Sequence, residues 1–134
     1  MTDSKTMQAL VMQAYDERGK GNIDGLMSTF HADGVFRIVG DEKLVEMAGA
    51  IRGHPGVREA MTGFVAVFEF LERHIISVIA DGDRAAVHSR VKIRFVPKDL
   101  TFDTEITDMF KFQDGKIIEL VEFADTALIK ELSA

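Results

Sequence analysis

A chain of 134 residues, 46% hydrophobic and 28% charged, has the composition of one ordinary globular domain with enough length to bury a core. It has no cysteine, which excludes a disulfide scaffold, a thiolate metal site and a cysteine nucleophile, and which suits the reducing cytoplasm. A net charge of −6 lacks the basic footprint that nucleic acid demands, no apolar run is long enough to span a membrane, and the first ten residues do not read as a secretory leader.

In chain order the sequence reads as three helical segments and then a run of strands. Met7, Leu10, Val11 and Ala14 share one face at helical spacing, with Tyr15 beside them. Asp3 or Ser4 offers the cap, and the stretch Gly19-Lys20-Gly21 stops the helix. Asn22 caps a second helix carrying Ile23, Leu26, Met27 and Phe30 on one face. His31-Ala32-Asp33-Gly34 is predicted to turn the chain into a short strand over 35–39, which carries Phe36 and Ile38. Residues 40–53 are ambiguous, interrupted by Gly40, Gly49 and Gly53. His54-Pro55 opens a third helix, with Pro55 suited to the first helical position. Val57, Met61, Phe64, Val65 and Phe68 give that helix its apolar stripe.

From about residue 70 the period changes from helical to two. Strands are predicted over 70–80, 84–96, 101–112 and 116–124, separated by turns at 81–83, 97–99 and 113–115. Three short turns joining four strands make an antiparallel meander. Helices followed by such a meander define an α+β fold, with the three N-terminal helices packed on one sheet face. Strands of 11–13 residues are about twice the usual length, so the sheet is expected to bend and present a concave face.

Within "EITDMFKF" (105–112), one face is Ile106, Asp108, Phe110 and Phe112. Asp108 is thus a carboxylate in the middle of an apolar face. Its neighbours depend on the register of the last hairpin, because a slip of one residue reverses a strand's faces. A two-residue loop at Asp114-Gly115 would place Asp108 with Glu119, Val121 and Phe123. A three-residue loop would place it with Ile118, Leu120 and Glu122. In both cases a second carboxylate joins its face. Two carboxyl groups against an apolar wall are chemically useful, because burial disfavours charge and lets one stay protonated while the other accepts a proton.

These features resemble the nuclear transport factor 2-like superfamily, most closely its SnoaL-like polyketide cyclase and ketosteroid isomerase-like branch. The similar stretches are "GNIDGLMSTFHADGVF" (21–36), "IRGHPGVREAM" (51–61), "VIADGDRAAV" (78–87) and "TDMFKFQDGKIIELVEFAD" (107–125), in that order. The resemblance implies a cone-shaped, bent antiparallel sheet wrapped against helices, a ligand pocket inside it and a homodimer formed partly through the sheet. It also implies a role for Asp108, which matches the aspartic acid that in ketosteroid isomerases precedes "HFRF" and helps bind the substrate oxyanion. The isomerase tyrosine position is Ala14 here, with Tyr15 one step on, about 100° around the helix. The position of the isomerase base is Ile38, or Arg37 with a one-residue gap, and neither is a carboxylate. Glu122 matches a catalytic aspartate of limonene epoxide hydrolases, while their Arg-x-Asp pair has no counterpart in "AVHSRVKI" (86–93).

The candidate catalytic groups are therefore Asp108, Glu122 and Tyr15. The candidate pocket wall is Phe36, Ile38, Met61, Phe64, Val65, Ile106 and Phe110. Their apolar character fits a hydrophobic small molecule bearing a carbonyl or hydroxyl, with no external cofactor. His31, His54, His74 and His88 show no metal-ligand spacing, and no metal is assigned. His74 could face either side of its strand. His88, Arg90, Lys92 and Arg94 share a polar face expected to form ion pairs with Asp103 and Glu105 on the next strand.

Overall fold

The computed structural model describes residues 2–41 and 49–134. Helix α1 spans Ser4–Lys20. The side chain of Asp3 accepts from the backbone N–H of Thr6 at its start, and Gly21 ends it at φ 70°, a left-handed conformation that glycine adopts without strain. Helix α2 is one short turn, Ile23–Met27, capped by Asn22. Strand β1 runs over Phe30–Ile38, which corrects the turn expected at 31–34. The chain is already in the sheet at Phe30, and an irregularity between Phe30 and Val35 absorbs the polar stretch. Phe30 accordingly belongs to the strand and not to the second helix. Strand β2 is Gly49–Arg52; of the ambiguous stretch, residues 42–48 lie outside the described part. Helix α3 is His54–Val67, with Pro55 in its first turn.

The meander follows as β3 (Phe68–Asp81), β4 (Arg84–Phe95), β5 (Leu100–Gln113) and β6 (Lys116–Phe123). A C-terminal helix, α4 (Thr126–Leu132), comes after it. The sheet has six strands in the order β2-β1-β6-β5-β4-β3. Its meander pairs are antiparallel, but β1 joins β6 in parallel, so the sheet is mixed. No hairpin links β1 to β6. The chain between them passes through a helix and the rest of the meander, which leaves the parallel direction open to it. Bulges in β3 and β6 bend the long strands, and the curved, unclosed sheet wraps α1 and α3 as a cone.

The core lies between the helices and the concave face. Met7, Leu10, Val11 and Ala14 of α1 meet Val57 and Met61 of α3 and the inward residues of β1, β4, β5 and β6. A second apolar cluster around Phe68, Val91, Ile93, Phe95 and Ile106 fills the other end, where Ile129 and Leu132 of α4 pack onto it.

Candidate active site

The last hairpin answers the register question in a way that combines both alternatives. Gln113 pairs with Lys116, so the loop is the two-residue Asp114-Gly115, whose φ values of 53° and 71° are the pair of left-handed conformations that a tight hairpin needs. A bulge next to the turn then adds one residue on β6, so that Lys111 pairs with Glu119 and Asp108 pairs directly with Glu122. Glu122 therefore sits opposite Asp108, closer than the diagonal placement a three-residue loop would have given. One inward row crosses the sheet as Ile38, Glu122, Asp108 and Val87, with the exposed Val78 next in register on the edge strand.

Asp108 is 2% exposed, among the most buried side chains in the protein. Tyr15 of α1 donates its hydroxyl to Asp108 Oδ2 at 2.7 Å. The 100° displacement of Tyr15 around α1 thus does not take it out of the site. Arg73 of β3 approaches the same oxygen at 3.8 Å, donates to Ser89 Oγ at 3.1 Å and lies 3.7 Å above the Tyr15 ring. Asp108 Oδ1 has no N–H or O–H partner among the described residues. The facing Glu122 is the one group in hydrogen-bonding contact that could supply a donor to this carboxyl, by carrying a proton. Burial pushes Glu122 up to about 8, and the adjacent Asp108 charge and hydrogen bond push the same way; Arg73 and Arg18 oppose them. Burial also raises Asp108, against the hydroxyl of Tyr15, the charge of Arg73 and the contact with Glu122. Burial thus favours the neutral form of both carboxyl groups, and a charge on Asp108 favours a proton on Glu122. Burial, and then the Asp108 charge, push the Tyr15 hydroxyl up, so it remains a donor.

These groups open into a cavity of about 100 Å³, room for several water molecules or the reacting part of a small ligand. Its wall includes Phe36, Ile38, Met61, Phe64, Ile106 and Phe110 of the expected set. Val65 is not in that wall, which corrects the expectation. One step around α3 from Phe64 turns it toward the α1–α2 corner, where a side chain on Gly21 would touch its Cγ1. Arg37 is exposed on the outer face, so the neighbouring cavity position belongs to Ile38. His74 is exposed as well, in register with Arg90 on the outside of the sheet. On that outer face His88 meets Glu105 at 2.6 Å, but Arg94 and Lys92 reach Glu69 and Glu72 on β3, a partner strand the sequence reading did not name.

Among the contributors that escaped the sequence reading are Arg73, Arg18, Phe70 and helix α4. Arg18, in the last turn of α1, lines the cavity and rests 4.3 Å from the Phe70 ring centroid, while Arg73 lies 5.2 Å from the same ring. Leu128 and Ile129 of α4 close part of the wall. The start of α4 carries a legible signal in Asp125, whose side chain accepts from the Leu128 N–H. No group of three or more potential metal ligands occurs among the described residues.

Comparison with known proteins agrees with this architecture. A family model described as a SnoaL-like domain matches residues 11–120. Among curated proteins, no sequence matches the chain. Among solved structures, an NTF2-like protein of unknown function from Burkholderia pseudomallei is 19% identical, covers 97% of this chain and 98% of its own, and superposes with a TM-score of 0.80. A Catenulispora acidiphila protein with a ketosteroid isomerase-like fold is 12% identical over 91% of this chain and 85% of its own, TM-score 0.70. An LEH-like epoxide hydrolase of M. tuberculosis is 18% identical over 93% and 88%, TM-score 0.72. At such identities the likeness is one of fold.

Proposed function

Starting from a chain that belongs to the SnoaL-like domain family, we propose that it performs acid/base chemistry, of isomerase, cyclase or dehydratase type, on an apolar small molecule bearing a carbonyl. The observation that carries this reading is the Asp108–Glu122 pair, two carboxyl groups in direct register and in contact at the wall of an apolar cavity. Burial of that kind keeps a carboxyl neutral at the pH where it must donate.

The two groups have different tasks in this reading. Asp108 is enclosed, with one oxygen held by Tyr15, and it keeps the negative charge. Glu122 is the less enclosed residue and lines the cavity, so it is the group that meets the ligand. It gives its proton to a carbonyl oxygen and takes one back from carbon. While Glu122 is ionised, Arg73 and Arg18 offset its charge. Tyr15 and Arg73 are positioning residues, and the chemistry calls for no external cofactor.

The test does not require the natural substrate. A panel of apolar cyclic ketones and enones is screened for binding by thermal shift. Each hit is then incubated with the protein in D₂O, and exchange of the hydrogens next to the carbonyl is followed by NMR. Exchange is expected with the wild type and should fall at least tenfold in Glu122→Gln and Asp108→Asn. Hits that bind without any exchange above buffer would sink the catalytic reading. They would favour a second one, a non-catalytic binding domain, which the enclosure of Asp108 by Tyr15 and Arg73 supports.

A homodimer through the outer sheet face belongs to the same proposal. The exposed apolar residues Ile79, Met109 and Phe123 lie close together on that face and support it. Sedimentation showing a monomer at micromolar concentration would remove it.

A further inference from the structure

The carboxyl pair accounts for only part of the charge in the cavity. Two guanidinium groups line the same wall. Arg73 is matched by Asp108, at 3.8 Å. Arg18 has no carboxylate within ion-pair distance among the described residues, although the charge of Glu122, when ionised, acts on it. Its Nη2 donates to the backbone carbonyls of Phe68 at 2.8 Å and Phe64 at 3.4 Å. A guanidinium has five donors, and among the described residues Nε and Nη1 find no acceptor. The ring of Phe70 covers one face of the group and fixes its plane. Asp125, the remaining acid of the lining, is exposed and is occupied with capping α4. The interior therefore carries one cation with a free donor edge and no carboxylate in direct contact among the described residues.

We propose that Arg18 is the anchor for an anionic oxygen group on the ligand, so that the cavity takes an apolar acid whose head group is a carboxylate or an ionised enol. This rests on the reading of the cavity as the ligand site and narrows its substrate class. The guanidinium is held rigidly by two backbone carbonyls, which lowers the ordering cost of presenting its free edge. Burial pushes Arg18 down to about 10, still far above neutral pH, so it is charged when a ligand arrives. The anion at Arg18 and the proton donor at Glu122 would hold two separate parts of one molecule.

The experiment compares matched pairs on the intact chain: cinnamate with methyl cinnamate, and 2-naphthoate with methyl 2-naphthoate, titrated by calorimetry at pH 7. The wild type is expected to bind each acid at least tenfold more tightly than its ester. In Arg18→Gln the acid should weaken at least tenfold while the ester stays within twofold, and Arg18→Lys should retain part of the preference. Equal binding of acids and esters by the wild type overturns the proposal without recourse to any variant. So does a preference for acids that survives in Arg18→Gln. If esters and ketones bind but acids do not, only the anchor fails; if no apolar ligand of either kind binds, the cavity reading fails with it.

Discussion

Replacing Glu122 with glutamine tests the shared proton directly, without any ligand. The glutamine amide can still donate to Asp108, but it cannot ionise. In the folded protein Glu122 titrates at about 8, against 4.5 for a free glutamate side chain. The folded value is the higher of the two, so the protonated carboxyl stabilises the fold. That contribution is complete below about 4.5 and is lost as pH rises through about 8. Between those limits the group should lower stability by roughly 1 kcal/mol or slightly more for each pH unit, a few kcal/mol over the whole window. The measurement is urea denaturation followed by circular dichroism from about pH 5 to pH 9, for wild type and Glu122→Gln side by side. Near pH 5 the two should agree within about 1 kcal/mol, because one neutral donor replaces another. Near pH 9 the variant should be the more stable by a few kcal/mol. Taking the difference between the two curves removes the titrating groups that do not interact with Glu122 and leaves the Asp108–Glu122 pair. Parallel curves would refute the reasoning, since they would mean that Glu122 is already ionised in the folded protein at neutral pH.

Tyr15→Phe removes the hydroxyl that Asp108 Oδ2 accepts at 2.7 Å but leaves the ring under Arg73. It should cost about 1–3 kcal/mol in urea denaturation at pH 7, and an unchanged midpoint would show that the bond contributes nothing. Gly21→Ala should cost about 1 kcal/mol, because alanine at φ 70° is strained and its Cβ would press on Val65 Cγ1 at 3.3 Å; thermal denaturation reads this. Leu128→Ala takes an apolar group out of the cavity wall at α4. It should weaken apolar ligands severalfold while changing stability by less than about 1.5 kcal/mol, since Leu128 is only partly buried, and calorimetry on any hit from the ketone panel checks it.

The helical period of α1 and α3 and the alternation of β4 and β5 were legible because each element buries one face against one core. Asp108 was legible for the same reason, as a charge on a face that should have none. Strand β3 was predicted over 70–80 and is present, but the facing of its residues was not legible, because two bulges break the alternation, between Phe70 and Glu72 and between Ile75 and Ser77. No count of every second residue could therefore tell that Arg73 turns inward and His74 outward. Arg18 looks like an ordinary C-terminal helix cation, favourable to the helix dipole wherever it points. Its use depends on Phe64, Phe68 and Phe70, which join it only through tertiary folding. Helix α4 carries a cap but is seven residues long, too short for a periodic pattern to stand out. The parallel pairing of β1 with β6 is a property of the whole chain path and has no local sign.

The spare residue of β6 has a consequence of its own. Across the last hairpin the turn and the bulge differ in parity, and the bulge absorbs the difference before Asp108 meets Glu122. A chain lacking Ile118 would need no bulge, and the two carboxyl groups would still come opposite each other behind the same tight turn. What would change is the local twist that the bulge adds. The hairpin thus separates two variables that are usually tied together. The twist of the chamber at this hairpin can change by the gain or loss of that one residue while the acid pair stays in register, so ligand shape and proton chemistry are not tied together at this point.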